Sequence, residues 1–301
     1  MKKILIILLC CIAVIGIVLA IFVSSLKEKY LLQAKIAAFT TEPAPTLCVY
    51  DSQTGVIEEV SPEWYAAAQG KDLFVVQSSG DTSEIIRYAP SGTASLLAKT
   101  QKAIWGQPVA VDDEVYVAAE TEDGKEDRLY KCEDGELLLL SDTDLGGRHW
   151  RQPYPLCAGP NYLLFSARTE DKQMQIIRLD CATQQESVVL NGYDPVWKEV
   201  GKSFFYISEE DALCLYDMEH ETSELICDTV VFWSLQGWNP VDQVLYVKYH
   251  PATPIGDDEI GINDAFYYLQ TNKLLDSLHY AMLTGHLSTG FGFRFIDFIE
   301  S

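Results

Sequence analysis

Residues 193–228, YDPVWKEVGKSFFYISEEDALCLYDMEHETSELICD, decide the fold because they contain four strand patterns in a row. The apolar approach DPVW leads through a turn at Gly201 into the alternating run SFFYIS at residues 203–208. Acidic turns then introduce LCLYD at residues 213–217 and ELIC at residues 224–227. Short alternating runs bounded by turn residues are typical of β-strands. The stretch therefore predicts four short strands joined by tight turns.

The same plan recurs along the chain. The tetrapeptide WGQP at residues 105–108 returns as WRQP at residues 150–153, and LCVYD at residues 47–51 returns as LCLYD. Prolines precede successive strand pairs at intervals of 42 to 46 residues, at positions 62, 108, 153, 195 and 240. A period near 45 residues with several strands per unit is typical of propeller blades. The sequence therefore predicts an all-β protein.

The strand order at the two ends predicts how the ring closes. Residues 47–51 and 56–60 match the third and fourth strands of the repeat, whereas residues 283–290 and 291–298 match the first and second. We expect five complete blades, each starting near one of the prolines, and a sixth blade with two strands from each end of the chain. Closure of this kind protects the sheet edges. A ring of seven blades, with one divergent copy, is the alternative.

Two copies of the repeat resemble a known family. DPVWKEVGKSFFYIS at residues 194–208 and GWNPVDQVLYVKY at residues 237–249 resemble the TolB-type, WD40-like propeller repeat, in which a Pro-aromatic-Ser-Pro-Asp-Gly approach precedes a strand. The usual Ser-Pro-Asp-Gly is KEVG in one copy and NPVD in the other. The resemblance covers residues 47–301 and implies a six-bladed β-propeller that acts as a binding or scaffolding platform. It carries over no catalytic residue.

The N-terminus predicts a membrane anchor. Residues 4–23 are apolar and uncharged and follow Lys2 and Lys3, and about 20 such residues span a bilayer as a helix. We interpret residues 1–25 as an uncleaved transmembrane signal anchor. Its N-terminus lies in the cytoplasm, and the propeller lies outside the cytoplasm at the cell membrane. A cleavable signal peptide is the first alternative, and lipidation at Cys10 or Cys11 is the second.

The segment between the anchor and the first repeat is predicted to form a stalk. Residues 25–39 have helical spacing of apolar residues, and TTEPAPT at residues 40–46 contains two prolines. Proline-containing segments of this kind act as stiff spacers. We therefore expect a stalk and linker over residues 26–46 and the propeller domain over residues 47–301.

Composition and motifs exclude several classes of function. The chain of 301 residues has a formal net charge of −22, so a nucleic-acid-binding surface is not expected, because phosphate contacts need a basic face. The sequence contains no Gly-x-Ser-x-Gly, His-Glu-x-x-His, Cys-x-x-Cys or glycine-rich phosphate loop. We predict no catalytic residue, no metal ligand and no cofactor. The six cysteines after the anchor are expected to be mostly free thiols, with one disulfide left open.

The links between the second and third strands of each blade should lie on one face, and these links are rich in Asp and Glu. An acidic face attracts a basic partner, and clustered carboxylates bind Ca²⁺ weakly, although no link matches an EF-hand. Solvated turns are the alternative interpretation. The same face is expected to receive the chain from the membrane segment. The candidate acidic residues are Asp123, Glu126, Asp127, Asp257, Asp258 and Glu259.

A basic and aromatic cluster stands out in this acidic chain. Arg148, His149, Trp150 and Arg151 lie within GGRHWRQP at residues 146–153. Trp and Arg together are typical of an interaction hot spot. The alternative is that Trp150 packs inside its blade, with solvated arginines beside it.

Two functions from different classes follow. The first is a membrane-tethered, extracytoplasmic propeller that binds an envelope protein or peptide. The second is a propeller enzyme, a hydrolase or lyase that acts on a glycan or small molecule in the central funnel, where concave surfaces suit ligands. A sensor ectodomain that signals through a partner is a third.

Overall fold

The computed structural model describes residues 32–40, 46–51, 53–54, 56–145, 156–250, 263–276 and 293–299, together with helical residues 15, 17, 18, 20, 21, 24 and 25. Among these positions, no helix is both long and apolar enough to cross a membrane. Most of the predicted anchor, residues 1–25, lies outside the described positions.

The described elements are almost all strands, as the alternating pattern predicts. Besides the helical residues between 15 and 25, they include the helix α1 (Pro62–Gln69) and the 3-10 turn Leu269–Thr271. The strands are β1 (Lys35–Thr40), β2 (Leu47–Asp51), β3 (Val56–Glu59), β4 (Leu73–Ser79), β5 (Thr82–Tyr88), β6 (Ala94–Thr100), β7 (Ile104–Val111), β8 (Glu114–Glu120), β9 (Asp127–Glu133), β10 (Glu136–Leu139), β11 (Cys157–Ala158), β12 (Tyr162–Arg168), β13 (Met174–Asp180), β14 (Glu186–Asn191), β15 (Tyr193–Glu199), β16 (Ser203–Ile207), β17 (Leu213–Asp217), β18 (Thr222–Cys227), β19 (Val231–Asn239), β20 (Val244–His250), β21 (Asn263–Tyr268), β22 (Lys273–Asp276) and β23 (Phe293–Ile299).

These strands form six antiparallel sheets, and the predicted six-bladed propeller is confirmed. In chain order we call the sheets blade I (β4–β6), blade II (β7–β10), blade III (β11–β14), blade IV (β15–β18), blade V (β19–β22) and blade VI (β23, β1, β2, β3). Blade IV has the four strands that residues 193–228 predict. Its strands pair in sequence order, as do those of blades II, III and V.

An apolar cluster lies at each of the six junctions between neighbouring blades, and together they close the ring. Phe205 of blade IV packs with Phe232 and Leu245 of blade V, for example. Corresponding clusters join blades I and II, II and III, III and IV, V and VI, and VI and I. Because every blade buries both faces, the edge problem of an open sheet does not arise. In the described residues, each junction joins two of the six sheets, which leaves no place for a seventh blade.

The strands of blade VI come from the two ends of the chain in a different ratio from the predicted one. Its strand order is β23–β1–β2–β3, so three strands come from the N-terminal part and one from the C-terminal part. The prediction of two strands from each end is therefore wrong. The stalk is also wrong over residues 35–40, which form β1 between β2 and β23. Ala37 and Ala38 are both buried, and a short apolar run of this kind fits a helix as well as a strand.

Blade I has three described strands, and α1 takes the chain position of its first strand. Ser61 caps the helix, with its Oγ accepting from the Trp64 amide at 3.2 Å, and Pro62 occupies the first turn. Gly70 ends the helix in the left-handed conformation, at φ 64°. These are strong helix start and stop signals. The prediction of a complete four-stranded blade at Pro62 is therefore wrong.

The cysteines of the described part are free. Cys48, Cys157, Cys214 and Cys227 are buried, and Cys132 and Cys181 are half-buried. Burial raises the pKa of the Cys157 thiol to about 12. They serve as small apolar residues in the blades, as expected.

Candidate interaction face

The ring has two faces, and the strand order assigns every connection to one of them. The link face carries the links between second and third strands, at residues 80–81, 121–126, 169–173 and 208–212. The turn face carries the links between first and second strands, at residues 112–113, 159–161, 200–202 and 240–243. Connections from one blade to the next start on the link face, because the last strand of a blade runs antiparallel to the third-position strand and ends on that face.

Three links of the link face share one hydrogen-bond scheme. A hydroxyl residue opens each link, and its carbonyl accepts from the amide three residues later: Thr121 from Gly124, Thr169 from Lys172 and Ser208 from Asp211, at 2.9, 2.9 and 3.0 Å. The three donors have positive φ, at 66°, 66° and 59°. Hydroxyl side chains stabilise turns by bonding nearby amides. These hydrogen bonds therefore hold the backbone of each link in one conformation and fix the positions of its exposed side chains.

The predicted residues Asp123, Glu126 and Asp127 do not form one cluster. Asp123 accepts from the Thr121 hydroxyl at 2.8 Å and pairs with Lys125 at 3.0 Å. These hydrogen bonds, the one from Lys125 first, lower the pKa of Asp123 to about 2. Glu126 pairs with Arg128, and Asp127 is 2% exposed. Asp123 thus stabilises its own turn.

Ion pairs neutralise much of the acidic charge on blades I and II. Besides the two pairs just described, Lys99 contacts Glu84 at 2.7 Å and Lys102 contacts Glu122 at 3.9 Å. On blade III, Arg168 and Lys172 accompany Glu170 and Asp171 in the link. The acidic excess of the described link face therefore lies elsewhere.

That excess lies on blade IV. Phe232 donates its amide to the Asp211 carbonyl at 3.1 Å, which brings the connection after β18 beside the link after β16. Glu209, Glu210 and Asp228 are exposed and form no ion pair with any described residue. Asp211 accepts from the Tyr193 hydroxyl. We call Glu209, Glu210, Asp211 and Asp228 the blade IV acidic patch.

An aromatic side chain that the sequence analysis missed also belongs to the link face. Trp64, in the first turn of α1, is 52% exposed. The helix starts at the link face, because Val60 just before it donates to the carbonyl of Leu47 at the start of β2 at 2.9 Å. The Ser61-Pro62-Glu63 start signal would have located this helix.

Seven of the predicted site residues lie outside the described residues. They are Arg148, His149, Trp150 and Arg151 and, in the blade V link, Asp257, Asp258 and Glu259. Leu145 and Leu156, which flank the first group, are buried between blades II and III. In the parts of the chain that the structure describes, no three His, Cys, Asp or Glu side chains come together as a metal site.

The chain from the N-terminus reaches the ring at the turn face, so the expectation that it arrives beside the acidic links is wrong. Asp242, in the first turn of blade V, accepts from the amides of Gln33 at 2.9 Å and Ala34 at 3.1 Å. Asn239 donates its side-chain amide to the same carboxylate at 2.5 Å. Leu32 is fully buried against Val244 in the junction of blades V and VI. The reason is that β1 is a second strand, and second strands start at the turn face.

The first strands, on the inner side of the blades, are irregular. β15 shifts register between Tyr193 and Val196, and between them Asp194 has φ 52° although it is 5% exposed. Its amide donates to the hydroxyl of Ser166 on β12 at 2.8 Å. Bulges and positive φ at residues other than glycine recur near functional sites.

No protein-family model matches the sequence, and no curated protein matches it either. Solved structures that are similar include TolB from Acinetobacter baumannii, with 13% identity and a TM-score of 0.49 over 79% of this chain and 67% of that chain. A TolB candidate from Agrobacterium tumefaciens has 10% identity and a TM-score of 0.49 over 81% and 87%. An oligogalacturonate lyase in complex with manganese has 9% identity and a TM-score of 0.47 over 81% and 73%. These likenesses assign no substrate or partner to this chain, and its six-bladed ring follows from its own strand pairing.

Proposed function

We propose that the protein is a membrane-tethered, extracytoplasmic propeller that binds a basic segment of another envelope protein or peptide through its link face. The blade IV acidic patch carries the proposal, because Glu209, Glu210 and Asp228 are exposed and form no ion pair with any residue that the structure describes. On blades I and II, by contrast, lysine and arginine side chains pair with the link carboxylates. Charge complementarity of this kind steers and orients a partner. Trp64 adds an exposed aromatic side chain of the type found at binding hot spots.

The composition of residues 4–23 supports the tether. The described positions of this segment are helical, and Ile15, Ile17, Val18 and Ile21 are each more than half exposed. Exposed apolar side chains around a helix suit a lipid environment. The predicted location, at the cell membrane with the N-terminus in the cytoplasm, is part of the proposal.

We include the remaining predicted residues in the proposal. Arg148, His149, Trp150 and Arg151 remain a predicted hot spot, and Asp257, Asp258 and Glu259 remain predicted acidic residues of the blade V link. Weak Ca²⁺ binding by link carboxylates likewise remains a prediction.

Site-specific photo-crosslinking in cells tests the binding face. A photoreactive phenylalanine analogue replaces Glu210 on the link face or, as the control, Glu219 on the opposite face of the same blade. We expect a discrete adduct with one partner from position 210 and none from position 219. Adducts from position 219 alone, or equal adducts from both, would contradict the proposal. A third variant at position 150 tests the predicted hot spot.

A second candidate function is an enzyme or small-molecule binder in the central funnel, and the strained, buried Asp194 favours it. Positive φ at a residue other than glycine, on a bulged strand, is a feature that clusters at active sites. Thermal-shift screening of the full-length protein against envelope glycans and generic esters tests this candidate. A ligand that stabilises the wild type and fails to stabilise Asp194→Asn would support it. No shift for any compound would count against it.

A further inference from the structure

The connection between the predicted anchor and the ring is short and ends on the turn face. Six residues, 26–31, separate Ser25, the last described helical position, from the buried Leu32. A chain spans at most about 3.6 Å per residue, so this connection cannot exceed about 25 Å. Asp242 fixes its end by accepting the Gln33 and Ala34 amides. The turn face of blade V therefore stays close to the end of the anchor.

Two exposed aliphatic side chains occupy this part of the turn face. Val200 is 59% exposed and Val241 is 47% exposed, at the tips of the first turns of blades IV and V. Removing such apolar surface from water is favourable. Apolar tips beside an anchored segment favour contact with a lipid surface.

The charges near these tips are mostly engaged. Lys202 pairs with Glu199 in the blade IV turn, and Asp242 is held by Asn239 and by the backbone amides of residues 33 and 34. Glu219 and Glu221 lie in the second turn of blade IV on this face, and Asp112 and Asp113 lie in the first turn of blade II. The exposed Lys198 also lies beside Val200, so the formal charges of residues 198–202 and 239–243 sum to zero in this acidic chain.

We propose that the turn face of blades IV and V, marked by Val200 and Val241, rests on the lipid surface at the foot of the anchor, so that the link face points away from the membrane. This inference rests on the tether of the proposed function. The five residues of β16 at about 3.3 Å each separate the two faces by roughly 17 Å. A partner of the blade IV acidic patch must then approach from the side away from the bilayer.

Quenching by lipid headgroups tests the orientation with a matched pair on one blade. Full-length Val200→Cys and Glu210→Cys are labelled with a thiol-reactive fluorophore and reconstituted into phosphatidylcholine vesicles that contain nitroxide headgroup lipid. Labelled wild type gives the background from native cysteines. We expect at least twofold stronger quenching at position 200 than at position 210. Equal or reversed quenching in protein that floats with the vesicles overturns the orientation.

Failure of the tether is distinguishable from failure of the orientation. Protein that does not float with the vesicles contradicts the anchor of the proposed function, whatever the labels report. Asp242→Ala, compared with the exposed first-turn control Asp113→Ala, then tests the attachment. We expect Asp242→Ala to reduce the quenching difference and Asp113→Ala to leave it unchanged. An unchanged difference in Asp242→Ala, with native circular dichroism, overturns the role of Asp242.

Discussion

At the scale of single residues, Gly192 shows how the chain enters the first strand of blade IV. Its φ is 144°, and an added Cβ would lie 2.7 Å from the carbonyl oxygen of Ile207. We expect Gly192→Ala to lower the free energy of unfolding by about 2–3 kcal/mol, from backbone strain and this clash. Gly80→Ala is the control, since Gly80 has φ 60° with nothing within 4 Å, and should cost about 1 kcal/mol. Urea unfolding measures both, and equal costs would contradict the close approach.

The burial of Asp264 in blade V predicts that the stability of the protein depends on pH. Burial raises the pKa of its carboxyl group, although Lys248 and Tyr246 lower it. One carboxylate oxygen has no hydrogen-bond partner among the described residues. Because the native state holds this proton more tightly than the unfolded state, its contribution to stability falls as pH rises from about 4 through the raised pKa.

Asp264→Asn should remove that dependence. We expect the variant to match the wild type near pH 3 and to exceed its free energy of unfolding at pH 7, measured by urea titration across this range. A variant that is less stable than the wild type at pH 7 would show that the ionised carboxylate stabilises the native state.

At the scale of elements, Lys172 and Gly124 occupy equivalent positions in two links, and we expect substitutions there to change the free energy of unfolding in opposite directions. Lys172 and Gly124 both have φ 66°, a conformation that costs other residues about 1–2 kcal/mol and costs glycine little. Lys172→Gly should therefore raise the free energy of unfolding by about 0.5–1 kcal/mol, and Gly124→Ala should lower it by a similar amount. Lys172→Ala controls for the lost charge. A less stable Lys172→Gly would refute the equivalence of the two links.

The sequence predicted the elements where alternation and turn residues agree. Blade IV follows the expected strands because its apolar residues alternate between bounded turns, and Trp197 packs edge-on against Phe204 as a structural aromatic. The helix α1 replaces the strand that the 45-residue period predicts, because Ser61 and Gly70 provide start and stop signals for a helix. Strand β1 was missed because small apolar residues such as Ala37 and Ala38 fit either period.

The site was less predictable than the fold for a physical reason. The sequence shows that the links are acidic, but it does not show which carboxylates are paired. Lys99 and Lys102, which pair with Glu84 and Glu122, come from other strands and connections. Spacing along the chain does not reveal such pairs. The attachment at Asp242 depends on a residue 208 positions from Ala34, and only its local Asn-Pro turn signal was visible in the sequence.

At the scale of the whole molecule, β23 closes the ring. It pairs with β1 along residues 35–40 and contacts β19 of blade V. Deletion of residues 293–301 should expose strand edges and lower the thermal midpoint by more than about 10 °C, because several kcal/mol of pairing is lost. Deletion of residues 300–301 alone is the control. A truncated protein that keeps the wild-type midpoint would contradict closure by this strand.

The charge of the two faces decides whether the ring is a polarised binding platform. The most direct measurement is the affinity of full-length protein in phosphatidylcholine nanodiscs for a fluorescent octalysine peptide, read by anisotropy. Glu209→Lys/Glu210→Lys reverses charge on the link face, and Glu219→Lys/Glu221→Lys makes the same change on the opposite face of blade IV. We predict at least tenfold weaker binding for the first variant and less than twofold for the second. Equal losses in both would show that net charge alone governs binding and would contradict a binding site on the link face.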